Sequence, residues 1–379
     1  MVKVLYISIY TKTPESLLSD GVMKKIHLHI DCLEKLGDNV DYVFNDEKNI
    51  YIHSDGKDNL ICAKDSKGFK YFNKVLCLCK KFIKENKKKY DFIYIRHVAF
   101  DLKGYNALKY LNKISNCIYL EFPTFAMPEK NLKNTIKYYF NKKIHKYVYK
   151  AVLDSLDEEA YKMPTLRITN GTDLSLIETR KPTNSETINV LMVAYLQEYH
   201  GVDKIINACK SYYHDGGNRE VIFHIVGEGP VYNQLVKQCK EEGMENHVHF
   251  YGKLSGKVLY DVFDKCEVGI SSLANKEVGV TCSSTLKSKE YLAKGLPIIS
   301  DTMLDVFVDK PKYYFYILKN NFNIDELVNF YDSVYENRDK EKIIQEIRSF
   351  AEETCDIYKV FSQVQSDYLS FIEKRGTNL

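Results

Sequence analysis

The sequence predicts an α/β protein built as two doubly wound domains. Three observations predict it. Apolar strand-like runs alternate with helical patterns along almost the whole chain, the signature of parallel βαβ units. The alternation breaks once near the middle and then restarts. At 379 residues the chain is also too long for one ordinary core.

The elements follow in order. VLYISIY (4–10) reads as a buried first strand. No basic region precedes it and no small-residue cleavage site follows, so it is not read as a secretion signal. After a polar loop, Val22, Ile26, Ile30 and Leu33 recur at helical spacing, and Gly37 stops the helix. NVDYVF continues as a strand. NIYIHS and NLICAK flank Asp55-Gly56 and predict a hairpin. A lysine-rich helix over about 69–88 leads to the strand DFIYIR, and another helix leads to CIYLEF (117–122). NLKNTIKYYFNKKIHKYVYK (131–150) interleaves lysines with Tyr, Phe, Ile and Val and predicts a basic amphipathic helix. That pattern fits a membrane interface, nucleic acid, or a solvated helix packed on the sheet. TLRITNGTD (165–173) reads as a strand and turn, and the polar KPTNSET (181–187) as a linker. INVLMVA opens the second domain, VIFHIVG, HVHFYG, CEVGISS and LPIIS continue it, and about 355–375 forms a last long helix. Ligands of such sheets gather at the carboxyl ends of the strands, so a cleft between the domains is expected.

Composition narrows the class. Hydrophobic residues make up 45% and charged residues 28%, the balance of a soluble globular protein. The apolar runs fall short of the ~18 residues a membrane span needs. Ten cysteines lie scattered without metal-ligand or C-x-x-C spacing, which predicts a reduced, cytoplasmic protein with no metal. Net charge is +3, but Lys64 to Lys150 holds 21 Lys and Arg against 6 Asp and Glu, a surplus of 15, so the remainder carries −12. A basic half of this kind attracts phosphates or anionic lipid.

Several short motifs carry chemistry. Gly21 opens the first long helix, where free N–H groups can approach an anion or where glycine simply permits the turn. VGEGPVYNQL (226–235) is a strand, a glycine turn at Gly227 and a helix. It lacks G-x-G-x-x-G, so it is either a tight turn or a phosphate contact. In TCSSTLKSKEYLAKGLPII (281–299), Ser283, Ser284 and Thr285 can cap a helix and leave N–H groups for a phosphate. Lys287 and Glu290 share a face of that helix, suiting a diphosphate and ribose hydroxyls, or else an ordinary i,i+3 ion pair. His200 heads a helix at a strand end, where it serves structure or the site.

Together these residues resemble the retaining glycosyltransferases of the fourth sequence family, with the GT-B fold, and most closely their bacterial capsular and surface-polysaccharide subgroup. GVMKKIHLHIDCLEKLG, YLEFPT, ITNGTD, HGVDKII and the run from VGEGP to STLKSKEYLAKGLP carry the resemblance in the family's order. It implies two Rossmann-like domains facing each other across a cleft. Residues 1–175 would form the acceptor domain, with a helix of about 356–379 packing back on it, and 185–355 the donor domain. It implies transfer of a hexose, with retention, from a UDP-sugar to a glycan or lipid-linked acceptor, with no metal and no other cofactor. Gly21 would lie near the donor phosphates. Tyr251, Gly252 and Leu254 would read the base, Ser284, Thr285 and Leu286 would meet the diphosphate, Glu290 would hold the ribose, and Lys204 would support the site. Cys282 stands where the family's E-x7-E motif has its first acid, so it would face the sugar. Tyr195 and His200 replace the usual Arg and Lys. Pro123 stands where a histidine often follows CIYLEF. The implied setting is the cytoplasm, peripheral on an anionic inner membrane face, with no nucleic acid. Cys282 also keeps open a non-catalytic subunit that binds donor or glycan and supports a partner enzyme.

Overall fold

Val4, Leu5, Tyr6 and Ile7 are all fully buried, which only a strand covered on both faces can achieve. They lie in β1 (Lys3–Ile7), the centre of the first of two units in this computed structural model. The structure describes residues 1–13, 21–46, 48–64, 68–97, 99–122, 139–154, 158–183 and 185–376. The first unit comprises Met1–Thr169 and Ile357–Leu379, the second Asn170–Asp356.

In the first unit β1 is followed by α1 (Gly21–Lys35), β2 (Asn39–Asn45), β3 (Asn49–Ser54), β4 (Lys57–Ala63), α2 (Gly68–Asn86), β5 (Phe92–Arg96), α3 (Leu102–Ile114), β6 (Ile118–Glu121), β7 (Lys150–Leu153), β8 (Glu159–Ala160) and β9 (Met163–Arg167). The sheet order is β4-β3-β2-β1-β5-β6-β7-β9-β8. The strands from β2 through β1, β5, β6 and β7 to β9 are parallel, while β3, β4 and β8 are antiparallel. The β3–β4 hairpin turns on Asp55 and Gly56, both with positive φ, as a two-residue turn with the twist of its strands requires.

The second unit repeats the plan with β10 (Ile188–Val193), α4 (Val202–His214), β11 (Val221–Val226), α5 (Tyr232–Glu241), β12 (Val248–Phe250), α6 (Gly256–Phe263), β13 (Val268–Ile270), β14 (Cys282–Ser283), α7 (Leu286–Lys294), β15 (Ile298–Ser300), β16 (Met303–Leu304), β17 (Phe315–Ile317), α8 (Ile324–Tyr335) and α9 (Lys340–Thr354). Its six-stranded sheet, β12-β11-β10-β13-β15-β17, is parallel throughout, with β14 and β16 as a separate pair. The last helix, α10 (Ile357–Gly376), returns to the first unit. There Phe361 stacks on His29 of α1 at 3.8 Å and Tyr358 donates to Asp31.

Two expectations change. The basic helix over 131–150 is not formed across its described part. Residues 141–146 make a short 3₁₀ turn and Lys150 opens β7, because Ala151, Val152 and Leu153 are buried between β6 and β9. Residues 131–138, like Pro123, lie outside the described residues. The segment 181–187 is not the junction between units. Leu174 and Ile177 are buried in the second unit's core, and Arg180 donates to Tyr335, so the chain has already entered that unit by Asn170. Among the described residues no helix is long and apolar enough to cross a membrane.

Candidate functional site

The carboxyl ends of β10, β11, β12 and β13 carry most of the residues singled out from the sequence. Gly227, just past β11, has φ 130°, and a Cβ there would come within 1.8 Å of Ala194 O. Only glycine lets the two strand ends approach so closely. Its N–H donates to Gly252 O at 2.7 Å, and Leu196 donates to Glu228 O. Tyr251, Gly252 and Leu254 follow β12 as a partly exposed turn. The Tyr251 hydroxyl pairs with His224 Nδ1 at 2.8 Å, and His224 Nε2 pairs with Asn189 Oδ1, which fixes the turn to the sheet.

His200 ends a short 3₁₀ turn after β10. Gln197 N–H donates to its Nδ1 at 3.1 Å, which leaves the proton on Nε2. Burial, reinforced by the nearby Lys287 charge, lowers its pKa to about 2, so it acts as a neutral imidazole. Its carbonyl accepts from Leu273 N–H, joining it to the segment after β13. Lys204 is committed elsewhere. Its Nζ donates to Leu273 O at 3.0 Å and pairs with Glu277. Both side chains border an open groove of about 720 Å³ beside α4, which no residue of α7 lines.

The helix α7 begins where the sequence predicts, but one residue does the capping. Thr285 is the N-cap, and its Oγ1 accepts from Ser288 N–H. Ser284 Oγ instead accepts from Asn170 N–H at 3.0 Å, and Asn170 Nδ2 donates to Ser284 O. Ser283 lies in β14 with its hydroxyl buried and unpartnered. The Leu286 and Lys287 amides remain at the positive end of the helix. The i,i+3 ion pair of Lys287 with Glu290 does not form. Among the described residues Lys287 has no carboxylate within ion-pair distance, and its Nζ meets Ser272 Oγ at 3.5 Å. Burial lowers its pKa to about 7, against the pull of Asp301. Glu290 is partly exposed one turn further on. Cys282 is partly exposed in β14, beside Met303 of β16.

The geometry adds residues that sequence reasoning missed. Ser271 Oγ and Ser288 Oγ lie 3.2 Å apart, and Ser272 and Asp301 are buried beside Lys287. Asp301 accepts from Lys276 N–H through Oδ2, while its Oδ1 is buried and unpartnered. Beneath α7, Lys289 and Asp305 form an ion pair whose side chains are 0% and 1% exposed. The available signal was a lysine one residue before Glu290, on the helix's inward face. Gly21 is the exposed first residue of α1 and belongs to the first unit.

Residues 176–349, nearly all of the second unit, match the family described as glycosyl transferases group 1. Over the whole chain the structure is similar to a glycosyltransferase from Rickettsia africae, at 13% identity, 98% coverage of both chains and a TM-score of 0.68. It is similar to sucrose-phosphate synthase from Thermosynechococcus elongatus at 14% identity, 99% and 100% coverage and a TM-score of 0.68. The Anabaena protein HepE in complex with UDP-glucose matches at 14% identity, 98% and 100% coverage and a TM-score of 0.61. No curated protein matches the sequence. These likenesses give the chain the GT-B fold of two Rossmann-like units.

Proposed function

We infer that the protein is a retaining hexosyltransferase. It moves a sugar from a UDP-sugar to a glycan or lipid-linked acceptor in bacterial surface-polysaccharide synthesis. The second unit takes the donor and the first the acceptor. One observation carries the reading: a half-buried lysine that forms no direct ion pair among the described residues, with only the more distant pull of Asp301 on it, stands in the first turn of α7, at the carboxyl ends of parallel strands. A cation so placed is costly unless an anion comes to it. The group 1 match over this unit and the UDP-glucose held by the Anabaena relative support a nucleotide sugar as that anion.

The mechanism asks for positioning and charge stabilisation. As the bond to the sugar breaks, negative charge grows on the diphosphate. The Leu286 and Lys287 amides, the dipole of α7 and the Lys287 ammonium stabilise it. His200, neutral and protonated on Nε2, contributes a hydrogen bond without adding charge. Glu290 accepts from the ribose hydroxyls, the Tyr251–Leu254 turn receives the base, and Gly227 keeps the strand ends close enough to form one surface. Cys282 faces the sugar, where its thiol removes the acid that relatives use. The basic first unit attaches the enzyme to anionic membrane on the cytoplasmic side.

Isothermal titration with UDP and UDP-glucose tests the reading. Glu290→Gln should weaken UDP binding about ten- to a hundred-fold, the loss of one charged hydrogen bond of roughly 1.5–3 kcal/mol. UDP binding as tight as wild type in that variant would overturn the placement of the donor.

A further inference from the structure

The first unit holds a second charged cluster that the donor reading does not use. Arg96 ends β5 and Glu121 ends β6, and the two are register partners in the sheet. Arg96 donates through Nε to Glu121 Oε1 at 3.1 Å, Lys25 of α1 donates to the same oxygen at 2.8 Å, and Tyr94 donates to Oε2 at 3.0 Å. Glu121 is 4% exposed. Burial pushes its carboxyl up, but Lys25 and Arg96 outweigh that and hold it far below the usual range, so it is ionised.

The free atoms of this cluster are informative. Arg96 spends only Nε on Glu121. Among the described residues its Nη1 and Nη2 have no hydrogen-bond partner, and the side chain as a whole is 13% exposed. Lys25 likewise spends one of its three N–H groups. Arg96, Lys25 and Glu121 alone sum to +1, but Asp154 lines a small cavity with Lys25 and Glu121, so the geometry of the guanidinium rather than a surplus of charge is what would receive an anion. A guanidinium anchored at Nε by a buried carboxylate presents its two terminal amino groups as a fixed fork, the geometry that receives an oxyanion bidentately. The cavity behind the cluster, lined by Lys25, Glu121 and Asp154, measures about 10 Å³ and has room for about one water. A ligand of this fork would therefore have to reach it from outside that cavity, at the carboxyl ends of β5 and β6, where doubly wound sheets bind. Burying three charges offers little stability in itself.

We propose that Arg96, held by Glu121 and assisted by Lys25, is a receiving site in the first unit for an oxyanion of the second substrate. That anion is either a phosphate of a lipid-linked acceptor or the carboxylate of an acidic sugar. The assignment to the second substrate rests on the reading of this unit as the acceptor side.

The test is titration of the full-length protein, saturated with UDP to fill the donor site, with inorganic pyrophosphate, glucuronate and glucose in turn. One of the two anions should bind and glucose should not. Binding of pyrophosphate identifies a phosphorylated acceptor, and binding of glucuronate an acidic sugar. Arg96→Gln should weaken the anion about ten- to a hundred-fold. Arg96→Lys should weaken it comparably, because it keeps the charge and the pairing with Glu121 but loses the fork. UDP affinity should hold in both variants. If neither anion binds, or if either variant binds it as wild type does, the proposal is overturned. A wild type that binds the anion but not UDP would overturn the donor reading alone.

Discussion

Replacing Lys287 by methionine is predicted to have opposite effects on stability and on binding. The protein carries this lysine half-buried, with Ser272 as its hydrogen-bond partner and a pKa lowered to about 7. An unfolded chain holds the proton to about pH 10.4, so between pH 7 and 10 the unfolded state binds more protons than the folded one. Stability therefore rises with pH across that window, and below pH 7 the full cost of the buried charge is present. Lys287→Met removes the cost and fills the same space, so the free protein should melt several degrees higher at pH 6.5 and gain less at pH 9. Binding runs the other way. A diphosphate favours the protonated lysine, so wild-type UDP affinity should fall as pH rises above 7, by about tenfold by pH 8.5. In Lys287→Met, affinity at pH 7 should drop about ten- to a hundred-fold and the decline between pH 7 and 9 should flatten. Thermal melting and isothermal titration over that range read both effects. A variant that is no more stable and binds UDP with the wild-type pH profile would refute the reasoning.

Other outcomes follow from the same structure. Cys282→Ala should leave UDP affinity nearly unchanged while altering UDP-sugar binding or turnover, measured by parallel titrations and a donor-hydrolysis assay. Asp305→Ala strands Lys289 uncompensated in the interior and should cost about 3–5 kcal/mol in a urea melt, since the pair is fully buried. The wild-type protein should sediment with anionic liposomes at low salt and be released at high salt, as the surplus of 15 positive charges between Lys64 and Lys150 requires.

The alternation of strand and helix was legible because both sheets are mainly parallel and covered on both faces, which writes strands such as VLYISIY and VIFHIV as apolar runs broken by a single polar residue. Short elements were less so. Phe315–Ile317 is a three-residue strand, and Cys282–Ser283 pairs with Met303–Leu304 over two residues, too short for any period to register. Lys150–Leu153 was absorbed into a helical reading because the aromatic and lysine spacing before it mimics a helix, while its burial depends on β6 and β9 from distant sequence. The entry to the second unit was placed too late because KPTNSET looks like a linker, whereas Leu174, Ile177 and Arg180 are held by contacts far along the chain, to Arg348 and Tyr335. At the proposed donor site the helix start, Lys287 and Glu290 could be read from one segment. Ser272 and Asp301 could not, because they reach Lys287 only through the register of β13 and β15. The same holds for Arg96 with Glu121, two strand ends far apart in sequence.

The most direct test of the proposed donor site is a UDP titration followed by backbone amide resonances of the deuterated protein. Saturable shifts should appear at Thr285–Ser288 and at Tyr251–Leu254, with the Leu286 and Lys287 amides moving downfield as they meet the diphosphate. Saturable binding that leaves these amides unmoved, or no binding of UDP at all, would contradict the claim that the start of α7 holds the nucleotide.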